Sequence, residues 1–199
     1  MTQINKRKMD HINIVSEDAA VDRRQYYFDR MHLVHRALPE LNLAEVDPAT
    51  KFLGKKLAFP LLISSMTGGA DAELEKINRN LAIAAEAEGV ALAVGSQRVF
   101  LSDADARRSF ELRQHAPNTV LLANLGAVQL NYDLGFADCE AAVKVLDAEG
   151  LYLHLNPLQE AVQPEGDTRF AGLADRLERA VAEVGLPCGV KEVGSGWSI

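Results

Sequence analysis

Apolar residues along this chain fall into short continuous runs separated by longer amphipathic stretches. "PLLISS" (60–65), "VALAVGS" (90–96), "TVLLAN" (119–124), "LYLHLN" (151–156) and "CGVKEV" (188–193) read as strands. They are Val, Ile and Leu runs rather than half-polar alternations, the pattern of parallel strands covered on both faces. Between them, "AELEKINRNLAIAAEAE" (72–88), "ADARRSFELRQHA" (104–116), "ADCEAAVKVLDAE" (137–149) and "AGLADRLERAVAEVG" (171–185) read as helices. Strand ends placed at Ser65, Ser96, Asn124, Asn156 and Lys191 are spaced by 31, 28, 32 and 35 residues. That is the length of one βα unit. The fold class is therefore α/β. A doubly wound sheet and a (β/α)8 (TIM) barrel both fit five such units. No G-x-G-x-x-G follows the first strand, which favours the barrel.

Ahead of this regular region, "SEDAAVDRRQYYFDRMHLVHRAL" (16–38) reads as a helix with Ser16 as its N-cap, and residues 41–60 as a short hairpin. The expected organisation is a single domain, with residues 1–58 as an extension and 59–199 as the first part of the barrel. A closed barrel needs about 250 residues. The expectation is thus a fragment of a longer protein or a truncated product, with open strand edges and little activity when isolated.

Composition narrows the choices. Net charge is -7 among 199 residues, which argues against non-specific nucleic-acid binding. No run of 18 apolar residues marks a membrane span. The first fifteen residues lack the apolar core of a signal peptide. Cys139 and Cys188 have no metal-type spacing and are expected to be reduced and buried. A cytoplasmic location is expected.

Candidate chemistry sits where each strand exits: "SSMTGG" (64–69), "GSQR" (95–98), "ANLG" (123–126), "HLNPLQE" (154–160) and "VKEVGSG" (190–196). Polar groups at the mouth of an apolar barrel are costly unless they pair with one another or with a ligand. Ser65, Thr67, Ser96 and Asn124 suit the heteroatom-rich edge of a flat cofactor, although each could equally cap a following helix. Lys191 would end inside the barrel and needs an anion, an electron-rich partner or a carboxylate. Lys6, Arg7, Lys8 and His11 concentrate positive charge and could clamp a diphosphate, or be a solvated terminus. Arg98, beside Gln97, faces the same region. His32 and His35 share one face of the expected helix and read as structural. In an extended strand His154 and Asn156 share a side. Glu160 is a hard oxygen donor suited to Mg²⁺, which commonly takes one or two carboxylates plus substrate phosphates.

With these residues in view, the sequence resembles the type 2 isopentenyl diphosphate isomerases, which depend on FMN. The resemblance rests on "RKMDHI", "SSMTGG", "GSQR", "ANLG", "HLNPLQE" and "VKEVG" and runs the length of the chain. It implies an isomerase of isoprenoid biosynthesis that interconverts isopentenyl and dimethylallyl diphosphate. Reduced FMN, NADPH as reductant and Mg²⁺ are implied with it. Ser65, Met66, Thr67, Ser96, Asn124 and Lys191 look like FMN contacts. Arg7, Lys8, Ser96, Gln97 and Arg98 look like substrate contacts. Gln159 looks like a catalytic group close to the reacting carbons, and Glu160 like the Mg²⁺ ligand. His11, His154 and Asn156 look like pocket neighbours. A homo-oligomer, tetramer or octamer, is implied too. The family's barrel continues through three more strands that carry the FMN phosphate grip. The rival readings are another FMN-dependent barrel oxidoreductase and a non-catalytic partial barrel.

Overall fold

A computed structural model describes residues 10, 12–21, 30–65 and 67–193. The chain divides into two units, Met1–Pro48 and Ala49–Ile199. In the first, residues 12–17 are helical and a single 3-10 turn covers Ala19–Val21. Ser16 therefore lies inside a helical stretch rather than capping one. The cap belongs to Asp18, whose Oδ1 accepts from Ala20 N at 2.9 Å. The rest of the expected helix falls partly on residues 22–29, outside the described set. Its tail, with His32 and His35, has no regular structure, so those histidines share no helix face.

The second unit holds the α/β fold. Strands β1 (Thr50–Phe52) and β2 (Lys55–Leu57) form an antiparallel hairpin, as the turn formers around Gly54 predict. Five parallel strands follow: β3 (Leu62–Ile63), β4 (Ala91–Ala93), β5 (Leu121–Gly126), β6 (Gly150–His154) and β7 (Cys188–Lys191). They lie in strictly sequential order, β3-β4-β5-β6-β7. A doubly wound sheet reverses direction at a switch point. This sheet does not. It is a curled partial (β/α)8 barrel.

The helices between the strands are α1 (Ala72–Glu88), α2 (Arg98–Ser102), α3 (Phe136–Leu146), α4 (Pro157–Val162) and α5 (Leu173–Val184). The α1 bounds match the periodicity, because Asp71 caps its start by accepting from Glu73 N and Gly89 ends it at φ 63. The stretch expected as a helix over 104–116 forms a 3-10 helix over Ala104–Phe110 instead. Asp103 caps its start by accepting from Asp105 N at 3.1 Å.

Strand register sorts the side chains. Leu122, Asn124 and Gly126 of β5 pair with Gly150, Tyr152 and His154 of β6 on one face. Tyr152 and His154 pair in turn with Gly189 and Lys191 of β7. On this face Ala91, Ala93, Val120 and Leu122 form a core with Leu57 of the hairpin, and Leu53, Leu62 and Tyr152 pack on it. The opposite face carries Leu92, Leu121, Leu125, Leu151 and Leu153, all buried. Hence the face that is apolar at the strand starts becomes polar at the strand ends.

The start of the sheet is locked by charge. Arg113 donates to both oxygens of Glu149 at 2.8 and 2.9 Å and to the carbonyls of Ala116 and Thr119. Glu149 also accepts from Leu121 N at 2.7 Å and pairs with Lys55 at 2.5 Å. Burial alone would push the Glu149 carboxyl up, but these hydrogen bonds outweigh it and hold the group below the usual range. None of these residues stands out in the sequence, since an Arg, a Lys and a Glu far apart in the chain carry no motif. Arg113→Ala should leave this half-buried carboxylate and two carbonyls short of donors. We expect a loss of about 2–4 kcal/mol, read as a shift in the urea-denaturation midpoint. Arg113→Lys should recover only part of it, because one ammonium cannot replace a planar fork.

Candidate active site

The C-terminal ends of the five parallel strands collect most of the polar residues picked out above. Ser65 and Thr67 leave β3, and both are buried. Ser65 Oγ has no hydrogen-bond partner among the described residues. The Thr67 hydroxyl is engaged by Asn78 Oδ1, and Asn78 Nδ2 reaches the carbonyl of Ser109 at 2.9 Å. Gly69 N donates to Ser109 Oγ at 3.2 Å. A Cβ on Gly68 would come within 2.4 Å of the Phe110 ring, and its φ is +148, so this close-packed turn requires glycine. Asn78 and Ser109 were not legible in advance: one is a polar residue inside an amphipathic helix, the other a serine in a helical run.

Beyond β4, the side chains of Gln97 and Arg98 are used differently. Gln97 is 0% exposed. Its Nε2 donates to Ala142 O at 2.8 Å, and its Oε1 accepts from Asn124 N at 2.9 Å. In this structure that amide ties β4, β5 and α3 together. Ser96 Oγ lies 3.5 Å from Arg98 N. The Arg98 guanidinium instead reaches across to Asp167, with Nη1 at 2.8 Å from Oδ2. Asn124 is buried at the end of the inward face.

The β6 exit carries the densest group. His154 Nδ1 lies 3.2 Å from the Lys191 carbonyl and 3.5 Å from Lys191 Nζ. A proton on Nδ1 serves the first contact and a lone pair there the second, so a given tautomer makes one of the two as a hydrogen bond. Burial, joined by the Lys191 charge, pushes the His154 imidazole below its ordinary range, so the neutral form is favoured at neutral pH. Burial also lowers Lys191, against the pull of Glu192. Pro157 starts α4, as a proline at the first helical turn should. This places Gln159, half-buried, and Glu160, 5% exposed, on one short helix above the sheet. Asn156 Nδ2 donates to Glu160 Oε1 at 2.6 Å, and Asp167 N donates to Glu160 Oε2 at 2.8 Å. Asn156 Oδ1 is buried and unpartnered among the described residues.

Two residues here were missed in the sequence: Asp167, in the loop after α4, and Gln129, in the 3-10 helix Ala127–Asn131. Gln129 Nε2 also donates to Asp167 Oδ2, at 2.8 Å. The turn formers of "QPEGDT" mark a loop but give no hint of where its acid points. Arg7, Lys8, His11 and Met66 lie outside the described residues. Cys139 is free and buried, its thiol pushed up to about 11 first by burial and then by the charges of Cys188 and Asp138. Cys188 is free as well but only partly buried, short of the full burial expected of it.

The donor set can be tested against the groups implied for it. A flavin edge needs hydrogen-bonding groups and close backbone approach. Buried, unpartnered Ser65 Oγ, buried Asn124 and half-buried Lys191 fit that need. For Mg²⁺, no cluster of three His, Cys, Asp or Glu side chains forms among the described residues. A single carboxylate is still sufficient when substrate phosphates complete the shell. Among the described residues each Glu160 oxygen accepts one hydrogen bond, which leaves a further lone-pair site. The residues fit both groups.

Comparison with known proteins bears on the same residues. The chain is 58% identical over 192 residues to an isopentenyl-diphosphate delta-isomerase of Paracoccus zeaxanthinifaciens, covering 96% of this chain and 55% of that relative. It is 53% identical over 195 residues to the protein of the same name from Hydrogenovibrio crunogenus, with 98% and 57% covered. For the Synechocystis protein of that name the identity is 47% over 193 residues, with 96% and 55% covered. The chain thus spans about half the length of the curated relatives it matches. Residues 1–111 match the family described as FMN-dependent dehydrogenase, a match that takes in the exits of β3 and β4. By that match, and with a sequential parallel sheet carrying polar groups at its strand ends, this chain belongs to the FMN-dependent dehydrogenase family.

Proposed function

We propose that this chain supplies the first part of an FMN- and Mg²⁺-dependent enzyme that interconverts isopentenyl diphosphate and dimethylallyl diphosphate, with NADPH as reductant. The reading is supported above all by one observation. The "HLNPLQE" group, Arg98 and Lys191 come together at one end of the sheet, although their strands are far apart in sequence. The names of the relatives point the same way.

The reaction moves a double bond by one position. It requires a proton to be added at one end of the double bond and removed from the allylic carbon next to its other end, with no net redox change. Reduced FMN, when bound, supplies an electron-rich ring beside those carbons. Ser65, Met66, Thr67, Ser96, Asn124 and Lys191 hold its ring. Burial disfavours the Lys191 ammonium, so an electron-rich ring beside it would offset that cost. Arg7, Lys8, Ser96 and Arg98 bind the diphosphate, His11 is a pocket neighbour, and Gln97, expected as a contact, has its side chain fully buried instead. Gln97 acts by fixing the start of α2, since its own amide is engaged by backbone. Gln159 contacts the substrate near the reacting carbons. Glu160 holds Mg²⁺ against the diphosphate. His154, favoured neutral, gives the apolar chain of the substrate a polar boundary without adding a second cation.

Among the described residues no helix is long and apolar enough to cross a membrane. A cytoplasmic enzyme assembling as a tetramer or octamer completes the proposal. Its direct test is to incubate the naturally encoded protein with FMN, reductant, Mg²⁺ and isopentenyl diphosphate and follow dimethylallyl diphosphate by NMR. Absence of interconversion in both directions would overturn the reading.

Two substitutions sharpen it. Glu160→Gln keeps the side-chain size but removes the anion. It should raise the Mg²⁺ concentration needed for half-maximal rate while leaving FMN affinity within about twofold. An unchanged Mg²⁺ response would remove Glu160 from the metal. Lys8→Ala should raise the KM for isopentenyl diphosphate about 10–150-fold, the worth of one charge-assisted contact of roughly 1.5–3 kcal/mol. Steady-state kinetics that show the wild-type KM would make the basic N-terminus a solvated tail.

A further inference from the structure

Three loops of the site meet on one residue that none of the motifs contains. Asp167 Oδ2 accepts from Arg98 Nη1 at 2.8 Å and from Gln129 Nε2 at 2.8 Å. Its backbone N–H donates to Glu160 Oε2 at 2.8 Å. Arg98 follows β4, Gln129 follows β5 and Glu160 follows β6. One carboxylate and one amide of a single residue therefore connect the strand-end loops of three successive units. Glu160 is also held from the other side by Asn156.

The approach of this loop is tight. A Cβ added to Gly166 would lie 1.7 Å from the Glu160 carbonyl oxygen, so a side chain at 166 must push the loop off α4. Gly166 N is itself held by Gln163 O at 3.1 Å, which closes the turn that presents Asp167. The pair of Asp167 with Arg98 is partly shielded, with side-chain exposures of 20% and 38%. A guanidinium on a long, rotamer-rich side chain loses freedom when it binds an anion. A partner that already fixes one of its nitrogens reduces that loss and leaves its other donors for the diphosphate.

We infer that Asp167 is a positioning residue: its carboxylate sets Arg98 for the diphosphate, and its backbone N–H sets Glu160 for the metal. The inference rests on the isomerase reading above. It separates two roles within one residue, and that separation is what a test can read. In the naturally encoded protein, Asp167→Asn keeps the backbone N–H to Glu160 and removes the anion beside Arg98. Gly166→Ala displaces both.

The experiment measures KM for isopentenyl diphosphate, the half-saturating Mg²⁺ concentration, FMN affinity and thermal midpoint for wild type, Asp167→Asn, Asp167→Glu and Gly166→Ala. Calorimetric binding of inorganic pyrophosphate with Mg²⁺ is measured alongside. Asp167→Asn should raise both the KM and the pyrophosphate Kd about tenfold or more, with the Mg²⁺ response, FMN affinity and thermal midpoint near wild type. Asp167→Glu should recover part of the KM. Gly166→Ala should shift KM and Mg²⁺ response together. An unchanged KM and pyrophosphate Kd in Asp167→Asn would overturn the inference. A lowered KM would overturn it too, by showing that Asp167 competes with the diphosphate for Arg98. If wild type binds pyrophosphate but does not interconvert the isomers, the isomerase reading falls, and the Kd ratio alone decides the role of Asp167.

Discussion

The structure depends on parallel pairing in chain order. Every strand from β3 to β7 points the same way and lies beside its sequence neighbour. All their carboxyl ends therefore open on one side of the sheet. Ser65, Arg98, Asn124, Glu160 and Lys191, dispersed over more than half the chain, gather there because of that single constraint. A reversal of order anywhere in the sheet would split them between two crevices.

Register then divides each inward-facing row into two zones. Near the strand starts the row is Ala91, Val120 and Leu122 with Leu57 beneath. Near the ends it is Asn124, His154 and Lys191. The apolar zone contributes burial, and the polar zone would cost stability if its groups stayed unpaired. Part of that cost is offset within the chain, by the Asn156, Glu160, Asp167 and Arg98 connections. Part is left open among the described residues, as at Ser65 Oγ and Asn156 Oδ1. Open buried acceptors at a strand-end mouth are what a ligand with donors would satisfy.

The opposite end of the sheet shows the complementary arrangement. Arg113, Lys55 and Glu149 satisfy one another and the carbonyls around them. The two ends thus divide stability and function, as barrel folds generally do.

The sequence by itself determined the five parallel strands and the longer helices that cover them. Continuous apolar runs specify buried parallel strands, amphipathic runs specify the covering helices, and "HLNPLQE" specifies a polar strand exit. It also marked candidate functional groups, because in a barrel such groups follow strand ends and strand ends are visible as periodicity breaks. Two local predictions failed: the helix expected over 16–38 gives way at Asp18, whose side chain caps a 3-10 turn, and the stretch over 104–116 forms a 3-10 helix ending at Phe110. Tertiary structure alone decided what each polar group touches. Gln97 was expected to contact the substrate, but its amide is buried between β5 and α3. Asp167 looked like a loop acid but is the partner of three site residues. A charge carries no periodic signal, and its worth depends on neighbours brought from 30 or more positions away. Those neighbours exist only once the strands have paired.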